Sequence, residues 1–256
     1  AGIVPGILLM LLYMLAIYIV VKRRPSYGPV SEKASWKERV QTLGDGLFEV
    51  MFIFLFSLGG LFAGWFTPTE AGAIGTACIL LVTVLRKHLS LAKLRKSLID
   101  AVRTTAMIML MVAGAMFFGR FIAVSRLPIL LAQWAAGLPL PSFAIIGVIL
   151  VVYLILGCFI DALALILLTI PIFYPVAVNT LGYDPIWFGV IIVLVVAMGV
   201  ITPPVGMNVF IVRGVAGDIP TETIFKGVWP FVIALVACIA LLIAFPQIVT
   251  FLPNLL

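Results

Sequence analysis

Apolar residues dominate positions 3–21, 47–85, 107–124 and 143–256, and the polar residues gather between these runs or at a few marked interruptions. At roughly 20 residues per crossing of a hydrocarbon layer, residues 3–21 make one membrane span and residues 47–85 make two, turning at Phe66-Thr67-Pro68-Thr69-Glu70. Residues 107–124 enter the membrane again. The apolar piece 128–138 has eleven residues between Arg126 and the Pro139/Pro141 pair, too few to span. Residues 117–138 are therefore expected to form a re-entrant hairpin, with Gly119, Arg120, Ser125 and Arg126 towards its turn.

Two connectors carry structure of their own. Residues 31–46 are polar, contain Trp36 and suit a short interfacial helix. In residues 89–104, Leu91, Leu94, Leu98, Ile99 and Val102 share one helical face while Lys93, Arg95, Lys96 and Arg103 occupy the others. That is the pattern of a basic amphipathic helix on a membrane surface. Two readings stand for it, a plain connector and an arm that braces moving parts.

From residue 143 onward the apolar runs are interrupted twice, at Gly157-Cys158-Phe159-Ile160-Asp161 and at residues 199–208, Gly-Val-Ile-Thr-Pro-Pro-Val-Gly-Met-Asn. Adjacent prolines remove two backbone donors and glycine permits an unwound turn, so carbonyl oxygens lose their helical partners. Lipid cannot satisfy them, and such backbone must be buried in protein or line a polar cavity. Paired discontinuous helices are a pointer to the substrate or ion site of a transporter.

Asp161 sharpens this reading. A carboxylate in mid-span costs about 2.5–3.5 kcal/mol on insertion scales, and no Lys or Arg lies within thirty positions of Asp161 to offset it. Its companions by sequence are the Thr202 hydroxyl, the Asn208 amide and the carbonyls of the second interruption. One carboxylate with hydroxyl and carbonyl oxygens suits a hard monovalent cation such as Na⁺ better than a transition metal. The alternative is a carboxyl of structural use, protonated or capping a helix.

Composition rules out other classes. A chain of 256 residues that is 64% hydrophobic and 10% charged cannot hide its apolar surface in a water-soluble core. Lys and Arg outnumber Asp and Glu 16 to 10, but twelve of the sixteen fall within residues 22–39 and 86–103. They read as cytoplasmic membrane-edge clusters, which runs the first span from outside to inside, and no nucleic acid is expected as a partner. Residues 3–21 are not read as a signal peptide, because Lys22, Arg23 and Arg24 follow the apolar run instead of preceding it. The chain opens on Ala1, and a portion of a longer protein is expected.

Cys78, Cys158 and Cys238 sit in apolar runs without disulfide or metal spacing and read as small buried hydrophobes. Glu70, following Thr67-Pro68-Thr69, suits the first turn of a helix capped by Thr67 or Thr69. Gly60 and Gly64 form a GxxxG that reads as close helix packing. Arg120 and Arg126 could attract an anion or simply snorkel, and His88 beside Arg86 and Lys87 reads as a solvated flank. No phosphate-binding loop, nucleophile elbow or His-Glu-x-x-His pattern occurs, and no enzyme activity is expected.

Phe66 to Ala71, Arg103-Thr104-Thr105-Ala106-Met107, Gly157 to Asp161 followed by Pro171-Ile172 and Pro175, Gly182 to Gly189, and Ile201 to Asn208 stand in the order found in one family. Together they resemble the large membrane subunit of the tripartite ATP-independent periplasmic (TRAP) transporters. The resemblance implies an all-α polytopic membrane protein, a Na⁺-coupled importer of organic acid anions in the bacterial inner membrane. It implies an elevator fold of two inverted repeats, with this chain holding the second. Residues 1–104 would supply scaffold-type spans with the cytoplasmic loop and arm helix. Residues 105–227 would be the transport-type region, and residues 228–256 the last span. The implied partners are a small membrane subunit, a periplasmic substrate-binding protein and the bilayer; Na⁺ would be the coupling ion, with no other cofactor. The implied Na⁺ site is Asp161, Gly199, Thr202 and Met207, with Arg120, Arg126, Asn208, Pro203 and Pro204 as candidates for the substrate cavity.

Overall fold

Lacking water to satisfy a bare backbone, an apolar chain closes its hydrogen bonds within helices. The computed structural model describes residues 1–28, 35, 46–216 and 219–255, and these are helical with no strand among them. Five helical stretches are long and apolar enough to cross a membrane: Ile3–Arg23, Pro68–Leu85, Leu91–Val124, Ala162–Thr180 and Thr221–Ala244. Their outward faces are apolar, as in Leu11, Leu91, Leu110 and Phe117, which is the surface that lipid tails require.

The chain divides into two compact units, Val30–Met107 and a second made of Ala1–Pro29 with Ile108–Leu256. In the first, α2 (Phe48–Phe62) packs against α3 (Pro68–Leu85). Thr67 and Glu70 cap α3 in the expected way: the Thr67 amide donates to Glu70 Oε2 at 2.8 Å and the Glu70 amide to Thr67 Oγ1 at 3.4 Å. Arg86 and Glu49 close the opposite end of the pair at 2.9 Å. The Gly60/Gly64 motif works differently from a helix-packing GxxxG. A Cβ on Gly60 would run into the Phe66 ring, so Gly60 is the seat of that ring. Gly64, at φ +75, makes the turn out of α2 and faces open space. Helix α2, at fifteen residues, is about 22 Å long, short of the ~30 Å hydrocarbon layer. The interfacial helix expected at 31–46 lies, apart from Ser35 and Gly46, outside the described residues.

Helix α4 (Leu91–Val124) is continuous over 34 residues. The amphipathic segment and the following apolar segment are thus one helix. No proline occurs between Leu91 and Val124 and no glycine before Gly114, so nothing local breaks the hydrogen-bond ladder where the polarity changes. At its end Ser125 and Arg126 turn the chain, Arg126 at φ +58, into α5 (Leu127–Gly137), which packs on the helix Ala162–Tyr174 and on a π-helical segment (Pro175–Thr180).

The core of the second unit surrounds α8 (Pro185–Ile201), which packs against α6 (Ser142–Gly157), α7 (Ala162–Tyr174) and α10 (Thr221–Ala244). Trp187, Phe188, Ile191, Ile192, Val195 and Val196 are all buried, so most of α8 faces protein, and its one exposed face, with Ile186 and Val193, is apolar as well. Its start is anchored by sequence. Asp184 accepts from the amides of Ile186 and Trp187 at 2.8 and 2.9 Å, Pro185 occupies the first turn, and Tyr183 stacks on Trp187 with centroids 4.8 Å apart. The Trp187 indole donates to the Leu242 carbonyl at 2.8 Å, tying this end to α10. Helix α1 (Ile3–Arg23) packs along α10, with Tyr13 edge-on to Phe231 at 5.3 Å. Cys158 and Cys238 are buried, Cys78 is half-buried and all three are free thiols.

Candidate functional site

Both predicted interruptions are present. The first separates α6 from α7 at residues 158–161, and the second separates α8 from α9 (Met207–Ala216) at residues 202–206. In the first, the amides of Cys158, Phe159 and Ile160 turn back to Leu154, Ile155 and Leu156, so the donors are satisfied. Asp161 then starts α7, its Oδ2 accepting from the amides of Leu163 at 3.0 Å and Ala164 at 3.4 Å. The carboxylate is thus a helix cap that keeps Oδ1 outside those bonds. Among the described residues, the carbonyls of Gly157, Cys158, Phe159 and Ile160 accept no hydrogen bond.

The second interruption follows the same plan. Thr202 donates its amide to Gly199 at 3.1 Å and its hydroxyl to the Met198 carbonyl at 2.6 Å, which leaves the Thr202 oxygen lone pairs facing outward from that bond. Pro203 and Pro204, joined by a cis bond, bring no donor. Gly206 at φ +58 redirects the chain into α9, its backbone pressed against the Phe225 ring of α10. Among the described residues the carbonyls of Ile201, Thr202, Pro203, Pro204 and Val205 accept no hydrogen bond.

The two interruptions touch at their glycines. A Cβ placed on Gly199 would lie 2.7 Å from the Gly157 carbonyl carbon and 2.8 Å from its Cα, so α6 and α8 meet backbone to backbone where both helices end. Two sets of unpaired carbonyls, a helix-capping carboxylate and a threonine hydroxyl therefore start from one contact. These are hard oxygen donors suited to a monovalent cation. No group of three His, Cys, Asp or Glu that could hold a metal occurs among the described residues.

Of the residues singled out in the sequence, Gly199 is buried at this contact, Thr202 and Met207 are half-buried, and Asp161, Pro203, Pro204 and Asn208 are exposed. Arg120 and Arg126 are exposed on and after α4. The backbone beside Arg120 is elsewhere along the fold: Gly119 lies against Pro171, ten residues and about 15 Å along α7 from Asp161. Sequence reasoning missed the Gly157–Gly199 contact, the Phe225 seat for Gly206 and the Asp184 cap. The Asp-Pro-Ile-Trp string carried a legible signal for the last, an Asx cap followed by proline in the first turn.

An all-helical chain with several apolar crossings and two helices broken side by side defines a multi-pass membrane protein with a polar discontinuity inside its helical body. Residues 1–248 match the family described as tripartite ATP-independent periplasmic transporter, DctM component, and the chain belongs to that family. It is 37% identical over 256 residues to the sialic acid TRAP transporter large permease protein SiaM of Vibrio cholerae, covering 100% of this chain and 59% of SiaM. It is 35% identical over 257 residues to the C4-dicarboxylate TRAP transporter large permease protein DctM of Pseudomonas aeruginosa, covering 99% of this chain and 58% of DctM. It is likewise 35% identical to the sialic acid TRAP transporter permease protein SiaT of Haemophilus influenzae, covering 100% of this chain and 41% of SiaT. The chain thus spans about three-fifths or less of these relatives.

Proposed function

We propose that this chain supplies one repeat of a secondary active, Na⁺-coupled importer of organic acid anions in the bacterial inner membrane. The carried class is carboxylates such as sialic acid or C4-dicarboxylates, for which its relatives are named. The observation that carries the reading is the pair of helix interruptions joined at Gly157 and Gly199, with nine backbone carbonyls free of hydrogen bonds among the described residues. Asp161 with Gly199, Thr202 and Met207 would hold the ion, the carboxylate Oδ1 and the carbonyl oxygens replacing its hydration shell. Asn208, Pro203 and Pro204 border the same interruption and would face the substrate; Arg120 and Arg126 would attract it from further away.

Residues 1–104 would act as scaffold and arm, residues 105–227 would move as the elevator, with α4 and α5 turning at Arg126 as the re-entrant hairpin, and residues 228–256 would complete the wall. By the positive-inside rule, Lys22 to Arg24 would put the end of α1 in the cytoplasm. Because α1 and α10 run antiparallel, α10 would begin there too. A small membrane subunit would brace the scaffold and a periplasmic binding protein would deliver the anion.

A second reading has a specific observation in its favour: the cap that Asp161 makes on α7 gives its carboxylate a purely structural use. Asp161→Asn separates the two, because asparagine caps as well as aspartate but carries no charge. In proteoliposomes holding the complete transporter, the proposal expects Asp161→Asn to lose Na⁺-driven uptake while melting like wild type. Uptake with unchanged rate and Na⁺ dependence would leave Asp161 as a cap only.

A further inference from the structure

The end of α1 and the start of α10 border a half-open cavity that the transport reading leaves unused. It has a volume of about 710 Å³ and is walled by Arg23, Arg24 and Tyr27 on one side and Lys226, Trp229 and Ile233 on the other. Three cations therefore ring one mouth. Arg24 donates to the Tyr27 hydroxyl at 2.8 Å, which fixes its guanidinium at the rim. Among the described residues no carboxylate pairs with Arg23, Arg24 or Lys226, whereas Arg86 elsewhere has Glu49. Glu222, the nearest acid on α10, is not part of the wall.

Below the rim the chemistry changes. Val20 and Pro230 also line the cavity, and Trp229, Ile233 and Val236, spaced along one face of α10, are all exposed. That stripe descends from the charged mouth along a helix long and apolar enough to span a membrane. Tyr and Trp at the boundary and cations just beyond it are the arrangement of a membrane interface. A soluble anion would need only the rim. A molecule with a negative headgroup and long apolar tails uses both rim and stripe.

We propose that this cavity binds an anionic glycerophospholipid, its phosphate held by Arg23, Arg24 and Lys226 and an acyl chain lying along Trp229, Ile233 and Val236. The lipid would bridge α1 to α10, two helices far apart in sequence, and would do so independently of transport. Interfacial cations contribute about a fivefold factor in affinity each. Removing two should therefore weaken binding roughly thirty-fold.

Native mass spectrometry of the delipidated, purified protein tests this, with phosphatidylglycerol, phosphatidylcholine and inorganic phosphate as probes. The expected result is retention of phosphatidylglycerol at least about fivefold over phosphatidylcholine. The Arg23→Gln/Lys226→Gln variant should lose that preference, while Arg95→Gln/Lys96→Gln on α4 keeps it. Excess inorganic phosphate should not displace the lipid. Equal retention of both lipids by the wild type overturns the proposal, and this readout stands even if the double variant does not fold. Equal loss in both variants would mean general surface charge, and displacement by phosphate would mean a small-anion site; either result overturns it.

Discussion

Replacing Gly199 by alanine adds one methyl group at the tightest backbone contact between the two broken helices. The added Cβ would sit 2.7 Å from the carbonyl carbon, 2.8 Å from the Cα and 3.1 Å from the oxygen of Gly157. Carbon atoms pack at about 3.5–4.0 Å, so α6 and α8 must separate by close to 1 Å. The obstacle is backbone, which cannot swing aside as a side chain would. Overpacking of this kind costs about 1–3 kcal/mol, and the displacement falls on the segments that carry the free carbonyls. The reciprocal change is the control. A Cβ on Gly157 would lie 3.4 Å from Gly199 Cα and 3.6 Å from the Leu165 side chain, a near-normal contact. Thermal unfolding of the purified variants, paired with Na⁺-dependent uptake in proteoliposomes, reads both effects. Gly199→Ala should melt lower and lose uptake, and Gly157→Ala should melt close to wild type. Two variants of equal stability, or a Gly157→Ala more harmful than Gly199→Ala, would refute the contact as described.

Asp184→Ala removes the acceptor for the Ile186 and Trp187 amides and should lower stability by about 1 kcal/mol in a denaturant melt, with Asp184→Asn restoring most of it. Gly60→Ala should destabilise the α2–α3 pair because its Cβ meets the Phe66 ring, and Phe66→Leu in the same chain should recover part of the loss in a thermal melt. The Tyr153 hydroxyl is buried beside the Thr169 hydroxyl, which donates to the Leu165 carbonyl, and makes no well-formed hydrogen bond of its own among the described residues, so Tyr153→Phe should hold or raise the melting temperature; a loss above about 1 kcal/mol would make Thr169 a true partner.

The discontinuities were legible because their signals are local. Gly157 with Asp161, and the Thr202-Pro203-Pro204 string with Gly199 and Gly206, concentrate helix-breaking residues within a few positions, and the breaks occur at 158–161 and 202–206 as anticipated. The Thr67/Glu70 cap was legible for the same reason. Helix α4 was less so: its change of polarity at Thr104 suggested two pieces, but polarity alters which surface a helix faces and does not interrupt its hydrogen bonds. Likewise the GxxxG at Gly60 named the right residue type and the wrong partner, an aromatic ring from the following turn.

By itself, the sequence determined that this protein lives in lipid, where its helices break and which carboxylate stands alone among apolar neighbours, since each follows from composition or from a few adjacent residues. Only the tertiary structure decided that Gly157 and Gly199 meet, that Asp161 spends one oxygen capping α7, and that Arg23 and Lys226 share a cavity 203 positions apart in the chain. Those facts depend on how helices pack across long sequence separations, and an apolar run carries almost no information about which face of which neighbour it will meet.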